Sequence, residues 1–161
     1  MDRFLMHITI DYPSDASEKE IVRLVRSESA HSGTSGKDKP EIIPQSVVFD
    51  ARREIDGIGV SEAMEDYLVA LIAATRRPSE LSDELGRWIA IGASPRGSLA
   101  LDKASRAHAW MEGRPLVSPD DIRAIVHDCL RHRLTLTYEA TADGVNEDDV
   151  ISRIVELVPV V

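Results

Sequence analysis

The chain has a single cysteine, Cys129, so no internal disulfide can form, and a reducing, cytoplasmic setting is the expectation. Aromatic residues make up only 4% of it, so any core must be built from Leu, Ile, Val and Ala. No apolar run approaches the roughly 20 residues of a membrane span, and the first residues lack the charged-then-apolar pattern of a secretory signal. Positive charge is also in deficit. The formal net charge is −9, which repels phosphate backbones and anionic lipid, so neither nucleic acid nor a membrane is an expected partner. A nucleotide-cradling Gly-x-x-x-x-Gly-Lys-Ser/Thr loop is missing as well. Gly33-Thr34-Ser35-Gly36-Lys37-Asp38 is not one, because its glycines are too close, Asp38 stands where a hydroxyl is needed, and no strand precedes it.

What is present is helical patterning. Its apolar share of 43% is enough for one real core. Residues 4–10 read as a strand closed by Asp11-Tyr12-Pro13. The chain enters this strand at once, as if cut from a longer protein. Ser17-Glu18-Lys19-Glu20 has the form of a capping box before Ile21, Leu24 and Val25. Residues 30–46, with Gly33, Gly36, Pro40 and Pro44, read as a loop. A short second helix follows through Val47, Val48, Ala51 and Ile55. Ser61 caps a third, with Met64, Tyr67, Leu68, Leu71 and Ile72 on one stripe. Residues 79–93 are irregular, with a partly extended piece at Trp88, Ile89 and Ile91. Ser94-Pro95 and Ser118-Pro119 each combine a favoured cap with a proline at the first helical position. Residues 133–138 alternate like a short strand, and Asn146 caps a last helix. The sum is a mainly α fold: a bundle of about six amphipathic helices, each with one face to bury against the others, plus two short strands.

Chemistry is most legible at Gly92-Ala93-Ser94-Pro95-Arg96-Gly97. With Ser94 as cap, Arg96 lies in the first helical turn, where backbone N–H groups are unpaired and the dipole is positive. A cation there is unfavourable until an anion arrives, whereupon N–H groups and guanidinium converge on it. The planar fork of arginine suits phosphate better than lysine does. The bland alternative is a solvated arginine at a helix start. Histidines 108, 127 and 132 form no ligand pattern, and no metal site is expected. Cys129 reads as a small core residue. Asp120-Asp121 and Glu147-Asp148-Asp149 read as helix-start acids.

Several segments, in order, resemble the MoxR family of AAA+ ATPases. Asp2-Arg3-Phe4 is similar to the family's Leu-Asp-Arg-Phe, Asp11-Tyr12-Pro13 to its Tyr-Pro, and Gly-Ala-Ser-Pro-Arg at 92–96 to its sensor 2 motif. Val117-Ser118-Pro119-Asp120-Asp121-Ile122 resembles Val-Thr-Pro-Asp-Asp-Val, and Leu130-Arg131-His132-Arg133 resembles Leu-Arg-His-Arg. The resemblance implies a C-terminal helical lid at 14–161, preceded at 1–13 by the terminal strand of the ATPase core. It implies that Arg96, with Ser94 and Pro95, meets the terminal phosphate of a nucleotide, and that Arg3 matches an arginine finger acting on a neighbouring subunit. ATP and Mg2+ would be cofactors of the full-length protein, with none expected on this fragment, which has no hydrolytic activity alone. Partners would be the ATPase core of the same and adjacent subunits, a hexamer when full length, and an unspecified client in chaperone-like complex or metal-cofactor assembly. Gly97 departs from the family's alanine, which loosens the helix start. The competing reading is a stand-alone helical interaction module without nucleotide binding.

Overall fold

The computed structural model describes residues 2–30 and 42–160. They fall into a larger compact unit, Met1–Ile8 with Phe49–Val161, and a smaller one, Thr9–Val48.

The smaller unit holds α1 (Asp15–Ala30) and the start of α2 (Gln45–Asp56). The capping expectation shifts here. Ser14, not Ser17, takes the role at the start of α1, its Oγ accepting from Ser17 N at 3.3 Å. Ser17 is already inside the helix because Pro13 ends the extended chain one residue before Ser14. The face of Ile21, Val22, Leu24 and Val25 is exposed rather than packed. The Gly33–Asp38 reading lies outside the described residues.

The larger unit is built on α3 (Glu62–Arg76), α6 (Pro95–Met111), α7 (Pro119–Leu130) and α9 (Glu147–Leu157). Their stripes meet in a core of Leu68, Leu71 and Ile72 from α3, Leu101 and Ala104 from α6, Ile122, Val126 and Leu130 from α7, and Val150, Ile151 and Ile154 from α9. Burying each large aliphatic side chain contributes about 1.5–3 kcal/mol. Tyr67 is the one aromatic in this fully buried set, as the composition demands. The caps fall where the sequence puts them: Ser61, Ser94, Ser118 and Asn146, the last two completing capping boxes with Asp121 and Asp149.

Among the described residues there are nine helices, not about six. The additional ones are α4 (Pro78–Leu81), α5 (Asp83–Trp88) and α8 (Tyr138–Ala142), each too short to show a helical period. Between them, β1 (Ile89–Ile91) pairs antiparallel with β2 (Thr135–Leu136), Ile89 opposite Leu136. The 133–138 strand is therefore trimmed at both ends. Residues Arg131–Arg133 form a 3-10 turn, and Thr137 caps α8 through a bond from Ala140 N at 3.2 Å.

Residues 4–10 do not form the expected strand. A strand needs a neighbouring backbone ladder. Here His7 N–H donates to Asp128 O at 2.8 Å, while side chains from the 131–133 turn take up carbonyls of residues 2–7. Residues 2–7 are docked by side chains rather than by strand pairing.

Candidate functional site: the entrance of α6

The end of α3 sets the position of α6. The Thr75 hydroxyl donates to Ile72 O at 2.7 Å and accepts from Ala93 N at 3.0 Å. Arg76 Nε donates to Ala93 O at 2.7 Å. These bonds clamp the 92–94 loop onto the last turn of α3. The approach is so close that a Cβ on Gly92 would lie 2.2 Å from Thr75 O, so only glycine fits.

Ser94 then turns the chain into α6. Its φ is −74° and its ψ is 171°, and its Oγ accepts from Arg96 N at 3.2 Å. Pro95 occupies the first turn, where a missing N–H costs nothing. Gly97 is buried, and a Cβ there would meet Ile72 Cδ1 at 2.9 Å. Gly97 thus faces α3, and a larger residue there would displace the end of the Ile72 side chain.

Arg96 stays half exposed, its side chain retaining 55% of its accessible surface. Among the described residues its charge partner is Asp2, whose Oδ2 lies 3.4 Å from Arg96 Nη1. The same Oδ2 accepts from Ser94 Oγ at 2.8 Å. On the other side Asp2 Oδ1 lies 3.3 Å from Arg133 Nε. The Ser94 hydroxyl holds the Asp2 carboxyl below its ordinary pKa, against the opposing effect of burial, with Arg96 and Arg133 adding to the lowering.

Arg133 is the anchor of this corner. Its side chain is only 2% exposed, and it donates to Cys129 O, to Phe4 O at 2.6 Å, to Leu5 O at 3.2 Å and to Asp2 O at 3.3 Å. The carbonyls on both sides of Arg3 are thus tied to the end of α7. His132 Nε2 pairs with Phe4 O at 3.2 Å. Burial lowers the His132 pKa, only partly offset by that carbonyl, so the ring favours its neutral form. Arg3 itself is exposed and lines the same concavity of about 810 Å3 as Arg96, Lys103 and Arg133. Structure thus brings together two expected residues far apart in sequence, Arg3 and Arg96, with Ser94 and Pro95 beneath Arg96.

Asp2, Thr75, Arg76 and Lys103 escaped the sequence reading. Thr75-Arg76 sits at a helix end with no motif of its own. Asp2 was legible only as a neighbour of Arg3. Asp121 escaped in a different way. It is a helix-start acid, but also fully buried, accepting from His108 Nδ1 at 2.7 Å, Ser118 N at 2.8 Å, Ser118 Oγ at 2.7 Å and Arg114. Burial alone would raise its pKa, but these donors and the Arg114 charge hold it below the ordinary carboxylate value. Among the described residues no group of three or more His, Cys, Asp or Glu side chains is arranged to hold a metal ion.

The cluster of helix entrance, cap and outward cation lies within a matched region. The AAA lid domain family matches residues 87–154, from the end of α5 through most of α9. The chaperone MoxR1 of Mycobacterium tuberculosis (strain ATCC 25618 / H37Rv) is 35% identical over 158 residues, 98% of this chain and 40% of that protein. The protein MoxR of Methylorubrum extorquens (strain ATCC 14718 / DSM 1338 / JCM 2805 / NCIMB 9133 / AM1) is 32% identical over 166 residues, 98% of this chain and 48% of its own length. A 2.00 Å crystal structure of a candidate ATPase from Cytophaga hutchinsonii ATCC 33406 superposes with a TM-score of 0.88 at 32% identity, covering 99% of this chain and 47% of that one. The chain belongs to the MoxR family of AAA+ ATPases, as its lid domain. It spans less than half the length of these relatives.

Proposed function

We propose that this lid senses nucleotide through Arg96, in the manner of a sensor 2 arginine. The observation that carries the reading is a guanidinium kept half exposed at a capped helix entrance, beside Arg3 and Lys103 on one concavity. The residues present fit a phosphate through their side chains: Arg96, Arg3 and Lys103 line one concavity, while the Arg96 and Gly97 N–H groups are already taken by Ser94. Arg96 would hold a terminal phosphate, and the Ser94–Pro95 cap would orient it. ATP with Mg2+, bound by a core this chain does not contain, supplies the phosphoryl group in the longer protein. Arg3, held by Arg133, is the candidate finger that stabilises charge at a neighbouring subunit's site. Residues 1–13 would then be the end of that core and the remainder the lid.

The work done is a hinge. Arg96 makes a contact that differs between nucleotide states, and a lid can shift only by the differential contacts it makes. In a ring, which we take to be a hexamer in the cytoplasm, Arg3 would pass that shift to the adjacent subunit. The likeness to the protein named chaperone MoxR1 supports a chaperone-like role, which we take to be the remodelling of a protein client in complex or metal-cofactor assembly. The test is Arg96→Ala in the longer protein. ATP turnover is expected to fall at least about tenfold, the loss of one charge-assisted contact in the transition state, with the lid's melting temperature changed by less than about 2 °C because Arg96 is half exposed. An unchanged turnover overturns the assignment.

A further inference from the structure

Arg96 is not vacant in this structure. Its entrance already holds an anion, the Asp2 carboxylate, which takes up the Ser94 hydroxyl at 2.8 Å, Arg96 at 3.4 Å and Arg133 at 3.3 Å. The arrangement mimics a phosphate oxygen at a helix N-terminus: a cap hydroxyl and two guanidinium groups around one carboxylate. A second observation marks the position as unfinished. Arg133 Nε and Asp2 Oδ1 are both buried and neither has a hydrogen-bond partner, although they face each other. On that side the ion pair lacks the geometry of a hydrogen bond and acts through charge alone, whereas Oδ2 is held by hydrogen bonds from Ser94 and Arg96, the groups a phosphate would take over. Arg133 keeps the backbone of residues 2–5 through its carbonyl bonds whether or not the Asp2 side chain stays.

The geometry points to Asp2 as an internal stand-in for phosphate, a positioning residue that holds Arg96 at the α6 entrance and must release it when a phosphate binds there. This rests on the reading of Arg96 as the phosphate-sensing group. Asp2 would keep the guanidinium ordered and aimed while the site is free of phosphate, at the cost of competing with the ligand. Exchange of one anion for another would also free the Asp2 side chain, which sits next to Arg3. The state of the phosphate site would thereby be felt at residues 2–4.

The experiment is a titration of this chain with inorganic triphosphate at low ionic strength, following the Arg96 Nε–Hε and Asp2 carboxyl NMR signals. Asp2→Asn removes the competing charge while keeping shape. It is expected to bind triphosphate about 3- to 10-fold more tightly than wild type, the scale of a partly exposed ion pair. Adding Arg96→Ala should abolish the gain. In wild type, Asp2 and Arg96 signals should shift with one midpoint. This second readout needs no variant, so misfolding of Asp2→Asn would leave the idea testable. If triphosphate binds through Arg96 but Asp2→Asn binds no more tightly, or the Asp2 signal stays still at saturation, the stand-in is overturned and the phosphate reading survives. If no variant shows Arg96-dependent binding, the stand-in is overturned, while the phosphate reading is decided separately by Arg96→Ala turnover in the longer protein.

Discussion

Replacing Asp121 with asparagine tests how the α6–α7 pair is held. The carboxylate accepts from His108, from the Ser118 N–H and hydroxyl, and from Arg114, and none of its surface is exposed. Asparagine keeps the shape but has one accepting oxygen and an NH2 that must face a donor. At least one of the four donors loses its partner, and the Arg114 charge goes uncompensated. Removing one partner of a buried pair costs about 3–5 kcal/mol. Arg114 is 40% exposed, so water relieves part of that, and about 2–4 kcal/mol is expected. For a chain of this size that is a drop of roughly 5–15 °C in melting temperature. Urea unfolding followed by circular dichroism measures it. The pH dependence supplies a second check. The folded pKa of Asp121 lies below the unfolded value of about 3.9. Its stabilisation is therefore complete above that pH and is lost as pH falls through the folded value. The gap between wild type and Asp121→Asn should narrow below about pH 4. A loss under about 1 kcal/mol at pH 7, or a gap that does not change in acid, would refute the reasoning.

Other outcomes follow from the same contacts. Arg133→Met should release residues 2–8, so the His7 amide, bonded to Asp128 O at 2.8 Å, loses its protection from hydrogen exchange while the α3–α6–α7 core keeps its own. Gly92→Ala places a methyl 2.2 Å from Thr75 O and should cost about 1–3 kcal/mol in thermal unfolding. Cys129 is buried, which raises its thiol pKa to about 11. At pH 8 a thiol reagent should label it only at the rate of global unfolding; prompt labelling would contradict its place in the core.

Much of the larger unit is written locally. Ser61, Ser94, Ser118 and Asn146 announce their helices because a cap acts within one turn of its own residue. The apolar stripes of α3, α7 and α9 are periodic over three turns or more, so their buried faces could be named in advance. Short elements escaped. Helices α4, α5 and α8 run for 4, 6 and 5 residues, less than two turns, and carry no period to detect. Residues 4–10 have the composition of a strand, but pairing is a property of two segments, and side chains occupy the carbonyls instead. Arg96 could be singled out because cap, proline and cation stand next to one another. What surrounds it could not, since Asp2, Thr75 and Arg133 approach from 94, 21 and 37 positions away.

The sequence by itself determined where the principal helices begin, which faces they bury, and that a cation stands at the entrance of α6. It could do so because caps, prolines and periodic stripes act over one to three turns of continuous chain. Only the tertiary structure decided that Arg133 is a buried clamp rather than a surface charge, and that Asp2 closes on Arg96. It also decided that Arg3 shares a concavity with Arg96. Those facts depend on which distant side chains share one small volume, and no local pattern encodes that.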